Sequence, residues 1–337
     1  EREGEVDPSE LHQAFNRQPV WSRIAIVSAG PVANFLLAIF VFWILFLSGE
    51  KGMVPMVDSI EPDSPAYFAG IEVGQEITSI DGKATPTVNA LSFRLLERLG
   101  DSGFIELGAR YSGSDVQYSS NAPIDRWLAG VEAPNPIAGL GISLAFPAVL
   151  PIVEKTIENS PAEAAGFLSG DRIVSADGVP MANWSDWVEY VRARPGTPIA
   201  VIAARDNVDV PLTLTPVEKL SDGQAIGSVG MAVRSPEIPA ESLRVFDRGP
   251  IDALWAALQR TFDLIVFTFE SILKMLQGLI STANLSGPIT IAQVAASSAE
   301  SGWESWLGFL ALLSISLGAL NLLPIPILDG GHLLFYT

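Results

Sequence analysis

Asn321-Leu-Leu-Pro-Ile-Pro-Ile-Leu-Asp-Gly-Gly331 ends the last long uncharged run of the sequence. The residues before Asn321 are apolar and favour a helix, but Pro324 and Pro326 cannot lie in the interior of a regular helix. They also force the residue before each of them towards extended backbone, so the helix is predicted to unwind near Asn321. Irregular backbone survives at membrane depth only where protein or water covers it, which indicates a shaped cavity beside Asp329.

An earlier stretch is also long enough to cross a membrane. No residue between Arg23 and Glu50 is charged. A helix of that length spans about 39 Å at about 1.5 Å per residue, whereas the hydrocarbon core of a bilayer is about 30 Å thick. The predicted segments are a leader over 1–23, a transmembrane helix over 24–49 with a start or kink at Gly30-Pro31, and a transmembrane helix over 303–328 broken at the two prolines.

Composition excludes several classes of function. The 337 residues carry 38 acidic and 20 basic side chains, a formal net charge of −18. This excess disfavours nucleic acid as a partner, because polyphosphate binding needs a basic surface. The absence of cysteine excludes a disulfide scaffold, thiol catalysis and cysteine-ligated metal. A mean hydropathy of +0.33 with 17% charged residues indicates membrane segments.

Residues 250–281 are helical by length but not uniformly apolar. One narrow sector of a helical projection, here called the polar stripe, holds Asp252, Arg260, Asp263, Glu270 and Lys274. The rest of the surface is mostly apolar, and one apolar residue, Phe267, lies within the stripe. The pattern predicts an amphipathic helix that lies along the membrane interface or packs its polar stripe inward. An ordinary amphipathic helix on a soluble domain remains the alternative.

The region between these helices is repeated. A shift of 96 residues lays Ser64-Pro-Ala-Tyr-Phe-Ala-Gly70 on Ser160-Pro-Ala-Glu-Ala-Ala-Gly166, and ten of the nineteen positions from 64 to 82 are identical. In each copy serine caps a short helix, proline takes its first position, and Asp-Gly marks a hairpin turn. We therefore predict two copies of one β-rich domain with two helices, over 52–145 and 148–236.

The repeated pattern resembles the bacterial PDZ domain in its circularly permuted form. That resemblance implies peptide binding by strand addition, in which an extended peptide pairs with an exposed strand edge. It places the receiving strands at Leu140-Gly141-Ile142 and Val229-Gly230-Met231. Ile142 and Met231 are therefore candidate peptide-binding residues, and core packing is an equally good interpretation of both.

Further motifs occur in a fixed order along the chain. Ala29-Gly-Pro-Val-Ala-Asn-Phe35 lies on the first apolar helix, Leu285-Ser-Gly-Pro-Ile289 follows the repeats, and the proline-containing stretch quoted above comes last. This order resembles the site-2 protease family of intramembrane zinc metalloproteases, in its tandem-PDZ form, over essentially the whole chain. The resemblance implies a partial α-helical integral membrane protease core with two inserted β-rich, circularly permuted PDZ domains. It makes 329–337 the start of the active-site segment.

Asp329 is the candidate metal ligand. A carboxylate costs about 2.5–3.5 kcal/mol at the bilayer centre, so such a residue is usually functional or placed at an interface. A helix-terminal position in the headgroup zone is the alternative. The resemblance implies that Asp329 is the third protein ligand of a catalytic Zn²⁺ whose fourth position is open to water. His332 is interpreted as a structural or supporting residue, and His12 as solvated.

The remaining catalytic groups are not in this sequence. The resemblance implies that two histidine ligands and a general-base glutamate come from His-Glu-x-x-His, and no such motif occurs here. We expect that motif upstream of Glu1, which would make the chain an incomplete fragment that is not active alone.

Two asparagines and two prolines are the candidate substrate-binding residues. The resemblance implies that Asn321 holds extended peptide backbone; its alternative role is to satisfy carbonyls that the prolines leave free. Asn34, on the opposing helix, has two donors and two acceptor lone pairs with which to brace substrate or active-site backbone. The broken backbone at Pro324 and Pro326 could hold an unwound substrate as an added strand.

The resulting hypothesis is hydrolysis of a peptide bond within a membrane segment. The resemblance implies a single-span substrate such as an anti-sigma factor that another protease has already trimmed. The PDZ pair would screen substrates by size or by a newly exposed terminus. The rival hypotheses are a non-catalytic, membrane-anchored tandem-PDZ adaptor and, less compatible with two large inserts, an ion-binding transporter.

Basic residues suggest an orientation. Arg2, Arg17 and Arg23 precede the first apolar helix, and only Lys51 follows it closely. By the positive-inside rule the leader is cytoplasmic. The repeats are then periplasmic, and Asp329 approaches the cytoplasmic side of a bacterial inner membrane.

Overall fold

A computed structural model describes residues 18–221, 224–234, 236, 238–285, 287–324 and 330–331. The helices are α1 (Val20–Leu47), α2 (Pro65–Phe68), α3 (Val88–Leu96), α4 (Pro136–Gly139), α5 (Pro161–Ala164), α6 (Trp184–Arg192), α7 (Pro250–Leu276), α8 (Pro288–Glu300) and α9 (Trp303–Asn321). Strands β1–β7 are Glu50–Met53, Val57–Ile60, Gln75–Ile80, Lys83–Ala84, Gly103–Tyr111, Tyr118–Ile124 and Ile142–Leu144. Strands β8–β16 are Val153–Thr156, Arg172–Ala176, Val179–Pro180, Ile199–Arg205, Val208–Leu214, Val217–Ser221, Gln224–Ser228, Met231–Val233 and Leu243–Phe246.

The chain forms two compact units. The first comprises Glu1–Ala145 and Glu241–Thr337, and the second comprises Phe146–Ala240. The first unit therefore holds the long helices and the first repeat (β2 to β7), whereas the second unit is the second repeat (β8 to β15).

Two helices of the first unit, α1 and α9, are long and apolar enough to cross a membrane by length and composition. α1 begins at Val20 and continues through Pro31, so of the two alternatives predicted at Gly30-Pro31, a kink or a helix start, the helix start is wrong. α9 ends at Asn321, where the sequence predicts unwinding, and Leu322 caps it in helical conformation.

The long helices pack around a shared apolar cluster. Its buried members come from α1, α7, α9 and the first repeat: Ala38, Val41, Phe42, Phe93, Ala257, Leu264, Ala311 and Ile315. α7 contributes small residues to its buried face, since Ala253, Ala257 and Thr261 follow one another at a spacing of four. Small side chains at this spacing let helix backbones approach closely.

The first repeat is built on an antiparallel sheet of order β4-β3-β5-β6, with β2 paired separately to β7. Its core includes Ile77, Leu91, Ile105 and Leu140. A two-stranded pair, β1 with β16, joins the beginning and the end of the long insert between α1 and α7. We call this pair the neck.

The second repeat has the same kind of sheet, of order β10-β9-β11-β12, with β15 paired to β8. Its core includes Phe167, Ile173, Trp187 and Leu214. It also contains the hairpin β13-β14, which lies between β12 and β15, whereas the first repeat has α4 between β6 and β7.

The turns and caps repeat as the sequence pattern predicts. Ser64 and Ser160 each accept a hydrogen bond from the backbone three residues later, at 3.2 and 3.3 Å. Asp81 and Asp177 adopt φ angles of 49° and 47°, and the glycine after each also has positive φ. Positive φ at both residues is typical of the tight hairpin turns that Asp-Gly favours.

Candidate active site

The two helices that carry the motif residues lie directly against each other. The hydroxyl of Ser314 on α9 donates to the backbone carbonyl of Asn34 on α1 at 2.9 Å. A Cβ at Gly318 would lie 2.7 Å from the ring of Phe35, whereas a Cβ at Gly308 on the same helix would meet no atom within 4 Å. The absence of a side chain at Gly318 therefore lets α1 approach α9 closely at Asn34 and Phe35.

The candidate substrate-binding asparagines are half-buried. Asn321 is the last residue of α9, and Asn34 lies in the middle of α1. Within the described part of the chain, neither side-chain amide has a hydrogen-bond partner. Pro324 is exposed.

Several predicted site residues lie outside the described residues. They are Asp329, Pro326, His12 and His332. Their predicted roles therefore remain predictions.

Gly330 shows where the chain continues after Asp329. It is buried, and a Cβ there would lie 2.3 Å from the carbonyl oxygens of both Leu322 and Leu323. These carbonyls stand at the C-terminal end of α9, where a helix leaves its last carbonyls without internal partners. Gly330 therefore lies against the end of α9, where a larger side chain would clash with these two carbonyls.

A metal site at this place depends on Asp329. Among the described residues no group of three or more His, Cys, Asp or Glu side chains could hold a metal ion. The sequence supplies two histidines and no cysteine. A carboxylate is a suitable zinc ligand.

The candidate peptide-binding residues differ in exposure. β7 starts at Ile142, whose side chain is 3% exposed and belongs to the core of the first repeat. β15 starts at Met231, which is half-buried, packs on the core of the second repeat and pairs with Thr156. β7 and β15 begin two residues later than the strands that the sequence predicts there, and their role as receiving strands stays a prediction.

The sequence reasoning missed Ser314 and Gly318. A signal for them was present, because Ala311, Ser314 and Gly318 are small residues spaced by three and four on an apolar helix. Small residues in that spacing mark close helix–helix contacts in membranes.

Comparison with known proteins identifies relatives over the whole chain. Residues 3–337 match the family model described as Peptidase family M50. The chain is 39% identical over 335 residues to the Regulator of sigma-E protease RseP of Salmonella typhimurium, covering 99% of this chain and 74% of the relative. The same figures hold for RseP of Escherichia coli strain K12. A relative from Vibrio cholerae serotype O1 that bears the name zinc metalloprotease is 34% identical and covers 99% of this chain and 75% of its own.

Two solved structures with local similarity are PDZ domains. That of an SdrC-like protein from Listeria innocua is 18% identical, covers 26% of this chain and 97% of its own, and has a TM-score of 0.22. The corresponding domain from Listeria monocytogenes covers 27% of this chain and 93% of its own, with 13% identity and a TM-score of 0.23. Such low scores decide nothing about the fold of either repeat.

These relatives settle the family. They do not favour the non-catalytic adaptor, and they do not bear out the expectation of an incomplete, inactive fragment. The resemblance carried by the ordered motifs is confirmed over the whole chain. This chain belongs to peptidase family M50, the site-2 protease family of membrane zinc metalloproteases.

Proposed function

We propose that this protein hydrolyses a peptide bond inside the membrane segment of a single-span membrane protein, with Asp329 as a zinc ligand. The bacterial inner membrane is its proposed location, with two periplasmic PDZ domains and the active site near the cytoplasmic side. The substrate class is a membrane protein of the anti-sigma type that a first protease has already trimmed.

The contact between α1 and α9 carries the proposal. It brings Asn34 and Phe35 against the helix that ends at Asn321, through the hydrogen bond of Ser314 and the close approach at Gly318. Residues far apart in the chain thereby pack along the C-terminal part of α9, and Gly330 lies against the carbonyls of Leu322 and Leu323 at its end.

The chain's own residues would bind and unwind the substrate. A helical substrate hides its carbonyls in internal hydrogen bonds, so its backbone needs replacement partners once it is extended. The amide of Asn321 supplies both a donor and an acceptor, and Asn34 offers the same from α1. Pro324 and Pro326 keep the adjoining backbone extended, which suits pairing with an added strand.

Asp329 would hold the metal from the segment after the prolines. Bound zinc supplies Lewis-acid activation of the peptide carbonyl and of water. The sequence has no His-Glu-x-x-His, the motif from which the family resemblance takes the other two ligands and the general base.

The two repeats would screen substrates before they reach the membrane helices. Strand addition at β7 or β15 would recognise a newly exposed peptide terminus, with Ile142 and Met231 beside it. Alternatively, the bulk of the two domains would keep untrimmed substrates away.

Asp329→Asn provides the test, because it retains the shape of the side chain and removes its charge. In protein purified in detergent from membranes, we expect the variant to lose zinc and to stop cleaving a model membrane-spanning substrate. Zinc is measured by elemental analysis and cleavage by gel mobility. The matched control is Asp252→Asn, an exposed carboxylate in the first turn of α7.

Equal zinc content in Asp329→Asn and the control would refute the ligand assignment. Retained zinc with lost cleavage would leave Asp329 a role in catalysis but not in metal binding.

A further inference from the structure

α7 presents three different faces. Small residues on one face pack against the other long helices, as described above. A second face is apolar and exposed, and its members include Ile251, Trp255, Phe262 and Leu276. The third is the polar stripe, for which the sequence left open whether it lies at an interface or packs inward. From Arg260 to Lys274 the polar stripe faces the first repeat.

The first half of this contact is made by α3 through Phe93 and Arg94. Arg94 Nη2 lies 2.7 Å from Asp263 Oδ2. The ring of Phe93 packs on Phe267, with 5.3 Å between centroids, and the guanidinium of Arg260 lies 4.3 Å from the Phe93 centroid. The contact with Phe93 thus explains why the polar stripe contains one apolar residue, Phe267.

Lys274 makes the most specific contact. Its Nζ donates to the carbonyl oxygens of Glu97 and Leu99 at 2.8 and 2.9 Å and lies 2.8 Å from Asp101 Oδ1. The three donors of the ammonium group are therefore all used, and the side chain is 17% exposed. α3 ends at Leu96, so the cation sits where the last carbonyls of a helix lack partners and the helix dipole favours positive charge.

The chain beyond α7 continues the same contact. A Cβ at Gly100 would lie 2.7 Å from Leu279 Cβ, and the φ angle of +79° there also favours glycine. The backbone N–H of Gly130 donates to Leu279 O at 3.1 Å. Ile280 is buried in the core of the first repeat. Asn284 accepts from Ala133 N–H at 2.8 Å.

The neck fixes the first repeat at a second place. Glu76 of β3 is buried, with its side chain 6% exposed, and Arg244 of β16 donates to Glu76 Oε1 at 2.9 Å. Two separate ion-paired contacts therefore restrain the first repeat, one to the neck and one to α7.

The second repeat lacks the side chains that make the α7 contact. The 96-residue shift replaces Phe93 and Arg94 by Glu189 and Tyr190, and Glu97 and Asp101 by Ala193 and Thr197. Instead, the face of α6 around Glu189 borders a cleft of about 810 Å³ beside β14.

We propose that Lys274 is a specificity-determining positioning residue. By binding the C-terminal end of α3, it holds the first repeat at one fixed place on α7, and through α7 on α1 and α9. That fixed place decides which substrates reach the end of α9. The inference rests on the proposed screening of substrates by the repeats, and it names the contact on which the screening depends.

The test compares Lys274→Met with Lys83→Met in the full protein. Lys83 lines the same cavity between the first repeat and α7, but it is exposed, and its one ion pair among the described residues is with Glu97, at 3.0 Å. Two substrates are used: a single-span membrane protein with its complete periplasmic domain, and the same protein trimmed to a short tail. The readouts are cleavage of each and hydrogen exchange of the α3 amides.

In Lys274→Met we expect α3 amides to exchange faster and cleavage of the untrimmed substrate to rise at least about fivefold, the lower end of measured couplings between sites. Cleavage of the trimmed substrate stays at the wild-type rate, which also reports that the variant is folded. Lys83→Met behaves as wild type in all three measurements.

Unchanged discrimination in Lys274→Met overturns the inference. Should that variant fail to fold, Asp101→Asn takes its place, because it removes the ion pair and keeps the two carbonyl contacts. If Asp101→Asn cleaves the untrimmed and trimmed substrates in the same ratio as the wild type, the inference is equally wrong. Failure of the proposed function shows differently: a wild-type protein that cleaves neither substrate contradicts the hydrolysis, and one that cleaves both at the same rate contradicts the screening.

Discussion

The two repeats share a backbone plan and differ in what surrounds it. In both, a serine caps the first short helix, and a glycine of positive φ packs on that serine: Gly141 on Ser64 and Gly230 on Ser160. In the first repeat, α3 is covered by α7, and the buried carboxylate of Glu76 is shared with the neck. In the second, the buried carboxylate of Asp171 is paired within the repeat itself. Duplication thus preserved the residues that shape the fold, while the outward contacts diverged.

The largest loss of stability is expected at a glycine that the two repeats share. Gly141→Val and Gly230→Val each place a branched side chain at positive φ, with a Cβ 2.1 and 2.5 Å from the Cβ of the capping serine. Because backbone strain and overpacking add, we expect each substitution to lower the free energy of unfolding by more than about 5 kcal/mol, a loss that few single substitutions cause.

Hydrogen exchange should show the difference between the repeats. Gly141→Val should deprotect the first repeat together with α7, because α7 packs on it, and Gly230→Val should deprotect residues 152–234. The control is Gly74→Ala, where φ is +84° but a Cβ meets no atom within 4 Å. A large loss of protection in that control would show that φ strain alone is responsible.

The second largest difference in stability between the repeats is expected when a buried carboxylate loses an arginine partner. Asp171 is 0% exposed, and Arg205 binds both of its oxygens at 2.8 Å. Arg205→Ala leaves this charge buried without its partner and should cost about 3–5 kcal/mol. Arg110→Ala in the first repeat should cost about 1.5–3 kcal/mol, because Glu76 retains Arg244.

Pulse proteolysis in urea, followed by mass spectrometry of peptides from each repeat, measures both variants. Equal losses in the two repeats would show that Arg244 adds nothing to the binding of Glu76, and the idea of a shared carboxylate would be wrong.

The smallest effect on stability is expected on acidification, at the Asp-Gly turn of the second repeat. The N–H of Ala200 and then the hydroxyl of Tyr190 donate to Asp177, and they hold the pKa of that carboxyl below its usual value. A lowered folded-state pKa stabilises above the unfolded value of about 3.9, and this stabilisation is lost as the pH falls through the folded value. The second repeat should therefore weaken slightly below about pH 4.

Asp177→Asn should remove part of this acid sensitivity, since the amide still accepts the hydrogen bond of Ala200 but does not titrate. Part of it should remain, because the pKa of Asp171 is also lowered: burial opposes this shift, but Arg205 and the N–H of Leu168 outweigh burial. Pepsin pulses across pH 3 to 5 give the readout. An unchanged pH profile in Asp177→Asn would contradict the assignment.

Local patterns in the sequence predicted the second repeat closely. Ser160 caps α5, Pro161 takes its first position, and Asp177 and Gly178 have the positive φ angles of a tight turn, as the repeated pattern predicts. These elements follow from caps, turns and alternating side chains, which act over a few residues. The hairpin β13-β14 and α4 were not predicted, because nothing in the repeated pattern continues into them.

The sequence also decided the family and the candidate site residues, because Asn34, Asn321, Pro324 and Asp329 stand in motifs whose order along the chain is specific. It fixed the polar stripe of α7 as well, since helical spacing is a local property. Only the tertiary structure decided what that stripe contacts and which carboxylate is shared with the neck. Those pairs join residues more than 150 positions apart, such as Arg94 with Asp263 and Glu76 with Arg244. Their meeting depends on how whole elements pack, and no local periodicity encodes it.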